Sequence, residues 1–202
     1  MTDTVKFRRP LGRIDLERMN LPEDLWTVKI QGVSEKARTP TENYLRNIDQ
    51  AVVNGAGLIV HGGRGVGKAA ISALIAKEAR SRGYTTLFVR VWELREMIRS
   101  RIDYDADSSM AERAREVDVL VLDDLRQEDA GEKFFTLSEI HQLVKYRASR
   151  RRLTIITTRL SIRVLDTPPI DALSDVLLLF PVEGPDLHDE RKRELEQSIL
   201  GT

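Results

Sequence analysis

The sequence predicts an α/β fold, a doubly wound parallel sheet with helices on both faces. Two observations lead to this class. Five short apolar runs rich in Val, Ile and Leu recur along the chain, and segments with helical periodicity separate them. The apolar runs are continuous, which is typical of parallel strands that are buried on both faces. With 202 residues and 41% hydrophobic content, the chain is long enough to bury such a core.

Local patterns predict the individual elements in chain order. The predicted strands cover residues 57–61, 85–90, 117–122, 152–158 and 176–180. Helical spacing of apolar residues predicts helices at 41–53, 69–82, 93–101, 111–115 and 132–147. We expect Thr41 to cap the first of these helices and Gly55 to end it.

Three segments are expected along the chain. Residues 1–40 contain three of the seven prolines and no sustained periodicity, which predicts an extended N-terminal arm with little fold of its own. Residues 41–188 hold all the predicted strands and form the expected domain. Residues 189–202 are charged and form a C-terminal tail.

Composition excludes several kinds of site and partner. The chain has no cysteine, which excludes disulfides, cysteine zinc sites and thiolate nucleophiles. It lacks an apolar run of the roughly 18 residues that span a membrane, so we expect a cytoplasmic protein with no membrane partner.

The zero net charge is a cancellation of blocks, since residues 140–165 carry seven bases and residues 166–190 carry seven acids. Such blocks suit a head-to-tail homo-oligomer in which a basic face meets an acidic one.

A glycine-rich segment, GGRGVGK at 62–68, lies between a predicted strand and a predicted helix. Such a loop turns its backbone amides around a phosphate, and its lysine reaches the outer phosphates. The candidate residues for binding ATP or ADP are Gly62, Gly63, Arg64, Gly65, Val66, Gly67, Lys68 and Ala69. Ala69 stands where this motif has a Ser or Thr that ligates Mg²⁺. The alternative interpretation is a glycine-rich turn with a surface lysine.

Two acids, Asp123 and Asp124, directly follow the apolar run at 117–122. In nucleotide hydrolases, one acid in this position lies near Mg²⁺ and the next lies near the attacking water. Asp123 is therefore the candidate metal residue and Asp124 a candidate catalytic residue. Alternatively, the pair caps a following helix or is solvated.

The basic stretch at 140–165 has two interpretations. Bases at the end of the predicted 132–147 helix are favoured by its dipole, and they can simply be solvated. Alternatively, Arg147 is an arginine finger that reaches a neighbouring subunit's nucleotide, and the other bases face DNA phosphates or acids of a partner.

Together these motifs resemble the DnaC/IstB group of AAA+ ATPases, over roughly residues 41–188. The resemblance lies in GLIVHGGRGVGKAAISALIAKEARSRGYTTLFV, EVDVLVLDDL, YRASRRRLTIITTRLS and VEGPDLH. It implies a P-loop fold with sheet order 5-1-4-3-2, phosphate binding by Lys68, magnesium binding by Asp123, water activation by Asp124 and a finger at Arg147. It further implies a replicative helicase or a transposase as partner, and possible contact with single-stranded DNA.

Four positions depart from the family pattern, and all belong to the nucleotide site. They are Ala69, Arg159 in place of a sensor asparagine, Asp175 in place of an arginine and His188 in place of a closing arginine. We therefore expect an ATP-binding protein whose hydrolysis is weak. The alternative is a degenerate, non-hydrolysing adaptor for a replication or transposition partner.

Overall fold

The computed structural model describes residues 8–94, 108–126, 134–161, 176–187, 189 and 196–199. Its strands are β1 Leu58–Gly62, β2 Thr86–Arg90, β3 Val119–Leu125, β4 Leu153–Thr158 and β5 Leu178–Val182. Its helices are α1 Arg13–Arg18, α2 Glu35–Arg46, α3 Ile48–Asn54, α4 Lys68–Ser81, α5 Ser108–Glu116 and α6 Phe134–Ser149. Short 3-10 turns lie at Glu23–Leu25 and Ile30–Gly32.

The five strands form one parallel sheet in the order β2-β3-β4-β1-β5. This order is the predicted 5-1-4-3-2 read in the opposite direction across the sheet, so the fold class is confirmed. Because all strands run the same way, their carboxyl ends meet at one edge of the sheet. That edge carries both the glycine-rich segment and the acid pair.

Both faces of the sheet are covered at strands β1 to β4, whereas Leu178 and Leu179 of the edge strand β5 are exposed. Alternate residues of one strand enter different cores, as shown by Leu58 and Val60 on one face and Ile59 on the other. The first core also contains α3 and α4, and the second contains Ala114 of α5 with Ile140 and Val144 of α6. The continuous apolar runs follow from this three-layer packing, because neither face of a central strand meets water. No helix within the described residues has the length and apolar composition of a membrane span.

Residues 8–40 pack onto the domain, so the predicted extended arm is wrong for this part of the chain. Met19 and Leu21 are buried in the first core. The Phe88 amide of β2 donates to the Met19 carbonyl at 2.8 Å, and Lys77 Nζ donates to the Val28 carbonyl at 2.8 Å. These contacts join residues distant in sequence, which is why local periodicity did not reveal them.

The predicted boundary at residue 40 falls inside a helix. α2 begins at Glu35 and continues through Pro40, and Thr41 is buried in mid-helix instead of capping it. The Thr41 hydroxyl donates to the Ala37 carbonyl at 2.7 Å. Gly55 does end α3 in a left-handed conformation, with φ 65°, as expected.

Other predicted boundaries shift by a few residues. β5 begins two residues later than expected, and β3 extends through both acids to Leu125. Most of the predicted 93–101 helix lies outside the described residues, as does most of the C-terminal tail.

Candidate functional site

The glycine-rich segment forms a tight loop between β1 and α4. Gly65 and Gly67 have φ values of 69° and 95°, a region that side chains with a Cβ rarely adopt. Val66 is buried in the first core and anchors the loop from within. α4 begins at Lys68, so the first amides of a 14-residue helix, which have no intrahelical acceptor, face the loop. This is the geometry that binds a phosphate at a helix N-terminus.

Lys68 lies across the loop that contains it. Its Nζ donates to the carbonyl oxygens of Gly62, at 3.0 Å, and Gly63. Burial lowers the pKa of Lys68, and the nearby charge of Arg159 lowers it further. The ammonium group is therefore already in the site, beside the loop's backbone, where an anion would stabilise its charged form.

The acid pair lies in a β-bulge at the carboxyl end of β3. The register with β4 pairs Leu122 with Ile156 and Leu125 with Thr158, so β3 carries one extra residue here. Asp124 has φ 62° as part of this irregularity. In a regular strand, consecutive side chains point to opposite faces of the sheet. The bulge changes this arrangement for Asp123 and Asp124, so each carboxylate has its own surroundings at the end of β3.

Thr157 joins the two acids, and the sequence motifs did not indicate it. Its hydroxyl donates to Asp123 Oδ1 at 2.6 Å and accepts from the Asp124 amide at 2.8 Å. Burial raises the pKa of Asp123, and the Thr157 hydrogen bond opposes that rise. Because threonine is common in strands, its position at the end of β4 carries no functional signal by itself.

Two arginines surround the Asp124 carboxylate. Arg126 Nε donates to Asp124 Oδ2 at 2.7 Å, and Arg159 Nε lies 3.8 Å from Oδ1. Arg159 follows β4, and about half of its side chain is exposed. Arg159, which stands in place of the family's sensor asparagine, therefore lies close to Asp124, Lys68 and the loop.

Two further segments form the rim of the loop. The Leu187 amide donates to the Gly65 carbonyl at 3.1 Å, and the Asp186 carboxylate lies where a Cβ at position 65 would be. Arg64 Nε lies 3.9 Å from Asp186 Oδ2. The backbone at Gly32 packs against Gly67 on another side of the loop, so that a Cβ at position 67 would lie 3.5 Å from the Gly32 carbonyl oxygen. The rim thus includes residues that were assigned to the N-terminal arm.

Arg147, the candidate arginine finger, lies at the opposite edge of the sheet. Its guanidinium is fully buried and donates to carbonyl oxygens at the amino ends of β3 and β4. The acceptors are the carbonyls of Ala114, Arg115, Val117, Asp118 and Leu153, at 2.7–3.4 Å, and Thr154 Oγ1 at 3.0 Å. Since β4 spans about 15–20 Å, Arg147 is remote from the loop of its own subunit. Its donors are engaged within the domain, and from this we infer a structural role for the side chain.

The neighbouring bases form a surface cluster at that same edge. The guanidinium carbons of Arg115 and Arg150 lie 4.4 Å and 4.1 Å from the centroid of the Tyr146 ring. Arg152 forms an ion pair with Glu116 at 2.6 Å. Arg163, Asp175 and His188 lie outside the described residues.

The oxygen donors at the loop are few. Ala69 has no hydroxyl, and carboxylates near the loop belong to Asp123 and Asp124 in the acid pair and to Asp186 on the rim. Within the described part of the chain, no group of three or more His, Cys, Asp or Glu side chains is arranged to hold a metal ion. A loop with the geometry of a phosphate-binding loop is therefore accompanied by few side chains that could hold a metal ion.

Comparison with known proteins agrees with this geometry. The model for the family of IstB-like ATP binding proteins matches residues 43–173, more than half of the chain. This match confirms the predicted resemblance. No curated protein sequence matches the chain.

Solved structures share the fold. The crystal structure of the DnaC helicase loader superposes with a TM-score of 0.65 and 20% identity, over 80% of this chain and 100% of that chain. The DnaI crystal structure superposes with a TM-score of 0.62 and 21% identity, over 83% of this chain and 94% of that chain. The structure of AMPPCP-bound DnaA from Aquifex aeolicus superposes with a TM-score of 0.60 and 18% identity, over 85% of this chain and 56% of that chain.

Proposed function

Because this chain belongs to the family of IstB-like ATP-binding proteins, we propose that it is an accessory protein of DNA replication or transposition that binds ATP and hydrolyses it slowly. Binding is assigned to the loop, where backbone amides and Lys68 surround the phosphate position. Its similarity to the DnaC helicase loader supports a replicative helicase as the partner. The resemblance to the IstB group implies a transposase as the alternative partner.

The ion pairing of Asp124 carries the proposal of slow hydrolysis. A general base must accept a hydrogen bond from the attacking water, and two guanidinium groups compete for this carboxylate. Loss of the hydroxyl at Ala69 adds a second defect. Loss of a single catalytic group commonly costs about 10²–10⁴ in rate.

Steady-state ATP turnover, with and without single-stranded DNA, tests this proposal. We expect slow turnover by the wild type and an increase of about 100-fold for the double variant Ala69→Thr with Arg159→Asn. Adding Lys68→Ala to that double variant should abolish the increase, whereas the exposed Lys145→Ala should not. Wild-type turnover at about 1 s⁻¹ or faster, abolished by Lys68→Ala, would contradict slow hydrolysis.

A second candidate function is an adaptor that binds its partner without hydrolysis. Ala69 and the cation Arg159 at the site favour it, because both changes affect chemistry more than phosphate binding. Partner binding measured with ATP, with ADP and without nucleotide separates the two. Equal affinity in all three conditions supports the adaptor, and dependence on ATP supports the ATPase.

A further inference from the structure

The loop combines an intact phosphate-binding backbone with ligands that do not suit a magnesium ion. Mg²⁺ requires near-octahedral oxygen ligands at about 2.0–2.1 Å and is usually held by one or two protein oxygens besides water and phosphate. Position 69 has a methyl group in place of a hydroxyl. Asp123 Oδ1 is engaged by Thr157, and the two Asp124 oxygens face Arg126 and Arg159.

Positive charge is supplied at the same place by side chains. Lys68 lies within the loop, and Arg159 is close enough for its charge to lower the pKa of Lys68. Arg64, in the loop itself, is largely exposed. Three carboxylates also act on Lys68 electrostatically, those of Asp123, Asp124 and Asp186, and each already faces a hydroxyl or a guanidinium group. A triphosphate would therefore compete with these carboxylates for the cations.

Arginine can replace part of what the metal supplies to a bound nucleotide. The guanidinium group presents parallel N–H donors that match two phosphate oxygens, and it stays charged at all physiological pH values. Arg159 extends from the end of β4, which neighbours β1 in the sheet, and about half of its side chain is exposed. It can therefore turn from Asp124 toward a phosphate without disturbing the core.

We propose that this chain binds ATP without a metal ion, with Arg159 and Lys68 neutralising the outer phosphates in place of Mg²⁺. The inference depends on the proposed nucleotide binding and specifies how it occurs. It also explains why Arg159 accompanies Ala69: the loss of a metal-binding hydroxyl is matched by the gain of a fixed cation at the same site.

ATP affinity of the full chain, measured by calorimetry in excess Mg²⁺ and in excess EDTA, tests the inference. We expect dissociation constants that agree within about threefold in the two conditions. Arg159→Gln should weaken binding about tenfold or more in EDTA, while Arg150→Gln at the opposite edge leaves it unchanged. Ala69→Thr with Arg159→Asn should bind ATP more tightly in Mg²⁺ than in EDTA.

The outcomes separate this inference from the proposed function. Wild-type binding that Mg²⁺ strengthens more than about tenfold would overturn metal independence and leave nucleotide binding intact. Unchanged affinity of Arg159→Gln in EDTA would overturn the role of Arg159. Absence of ATP binding in both conditions would overturn the proposed function together with this inference.

Discussion

Replacement of Arg147 by alanine should destabilise the domain and leave the nucleotide site in place. The side chain is fully buried, and its three nitrogen atoms donate to six oxygens, two in α5, two in the turn between α5 and β3, and two in β4. The guanidinium therefore joins α5, the turn that follows it and β4. Two of the acceptors have a second donor, since the Asp118 carbonyl accepts from the Leu153 amide and the Arg115 carbonyl accepts from Arg152.

The size of the effect follows from those acceptors. Leaving one buried acceptor without a donor costs about 1–3 kcal/mol, and water entering the cavity would satisfy some of the six. We expect a loss of about 3–5 kcal/mol in the free energy of unfolding, comparable with breaking other buried charged networks. Total stability of a domain is about 5–15 kcal/mol, so this is a large fraction of it.

Urea denaturation followed by circular dichroism and tryptophan fluorescence measures this loss. Arg147→Lys retains the charge with three donors in place of five, so it should be intermediate. Arg150→Ala, three residues later and just after the end of α6, is exposed and should lose less than about 1 kcal/mol. If Arg147→Ala were as stable as Arg150→Ala yet reduced ATP turnover, the structural role would be refuted and a finger role supported.

Three other variants probe charge around the loop and on the opposite surface. Asp186→Asn removes a carboxylate beside Gly65 and should tighten ATP binding about fivefold in calorimetry, about 1 kcal/mol; unchanged affinity would place the carboxylate outside the phosphate position. Asp123→Asn should raise unfolding stability at pH 7, because the raised pKa of Asp123 means that its charged form is disfavoured in the folded state. That gain should disappear as pH falls below the unfolded value of about 3.9, and a gain that persisted there would refute the assignment. Neutralising the arginines at 150–152 together should flatten the salt dependence of single-strand DNA binding, by about 0.7 in slope per lost phosphate contact; an unchanged slope would assign them to other contacts.

Some parts of the fold were predictable because they depend on local pattern. The continuous apolar runs predicted the parallel strands, of which β1 to β4 are buried and the edge strand β5 is exposed. The spacing of glycines and Lys68 predicted the tight loop between β1 and α4. Asp123 and Asp124 were located correctly at the end of β3, since a strand followed by acids is itself a local signal. The bulge that separates their environments depends on pairing with β4 and was not predictable from β3 alone.

Other parts depend on contacts between distant segments. In sequence, Arg147 and Arg150 are equivalent bases near the end of one helix. One is buried and the other exposed because the carbonyls around Val117 and Leu153 converge on Arg147. Residues 8–40 likewise have no periodicity to predict their packing, since long-range backbone contacts such as the one between Met19 and Phe88 hold them in place.

The central claim is that the loop at 62–68 binds the phosphates of ATP, and calorimetric titration of ATP into the full chain tests it most directly. We expect saturable, one-to-one binding by the wild type, weakened about tenfold or more in Lys68→Ala and unaffected in Lys145→Ala. Equal affinity of the wild type and Lys68→Ala would contradict the claim, as would the absence of saturable binding by the wild type.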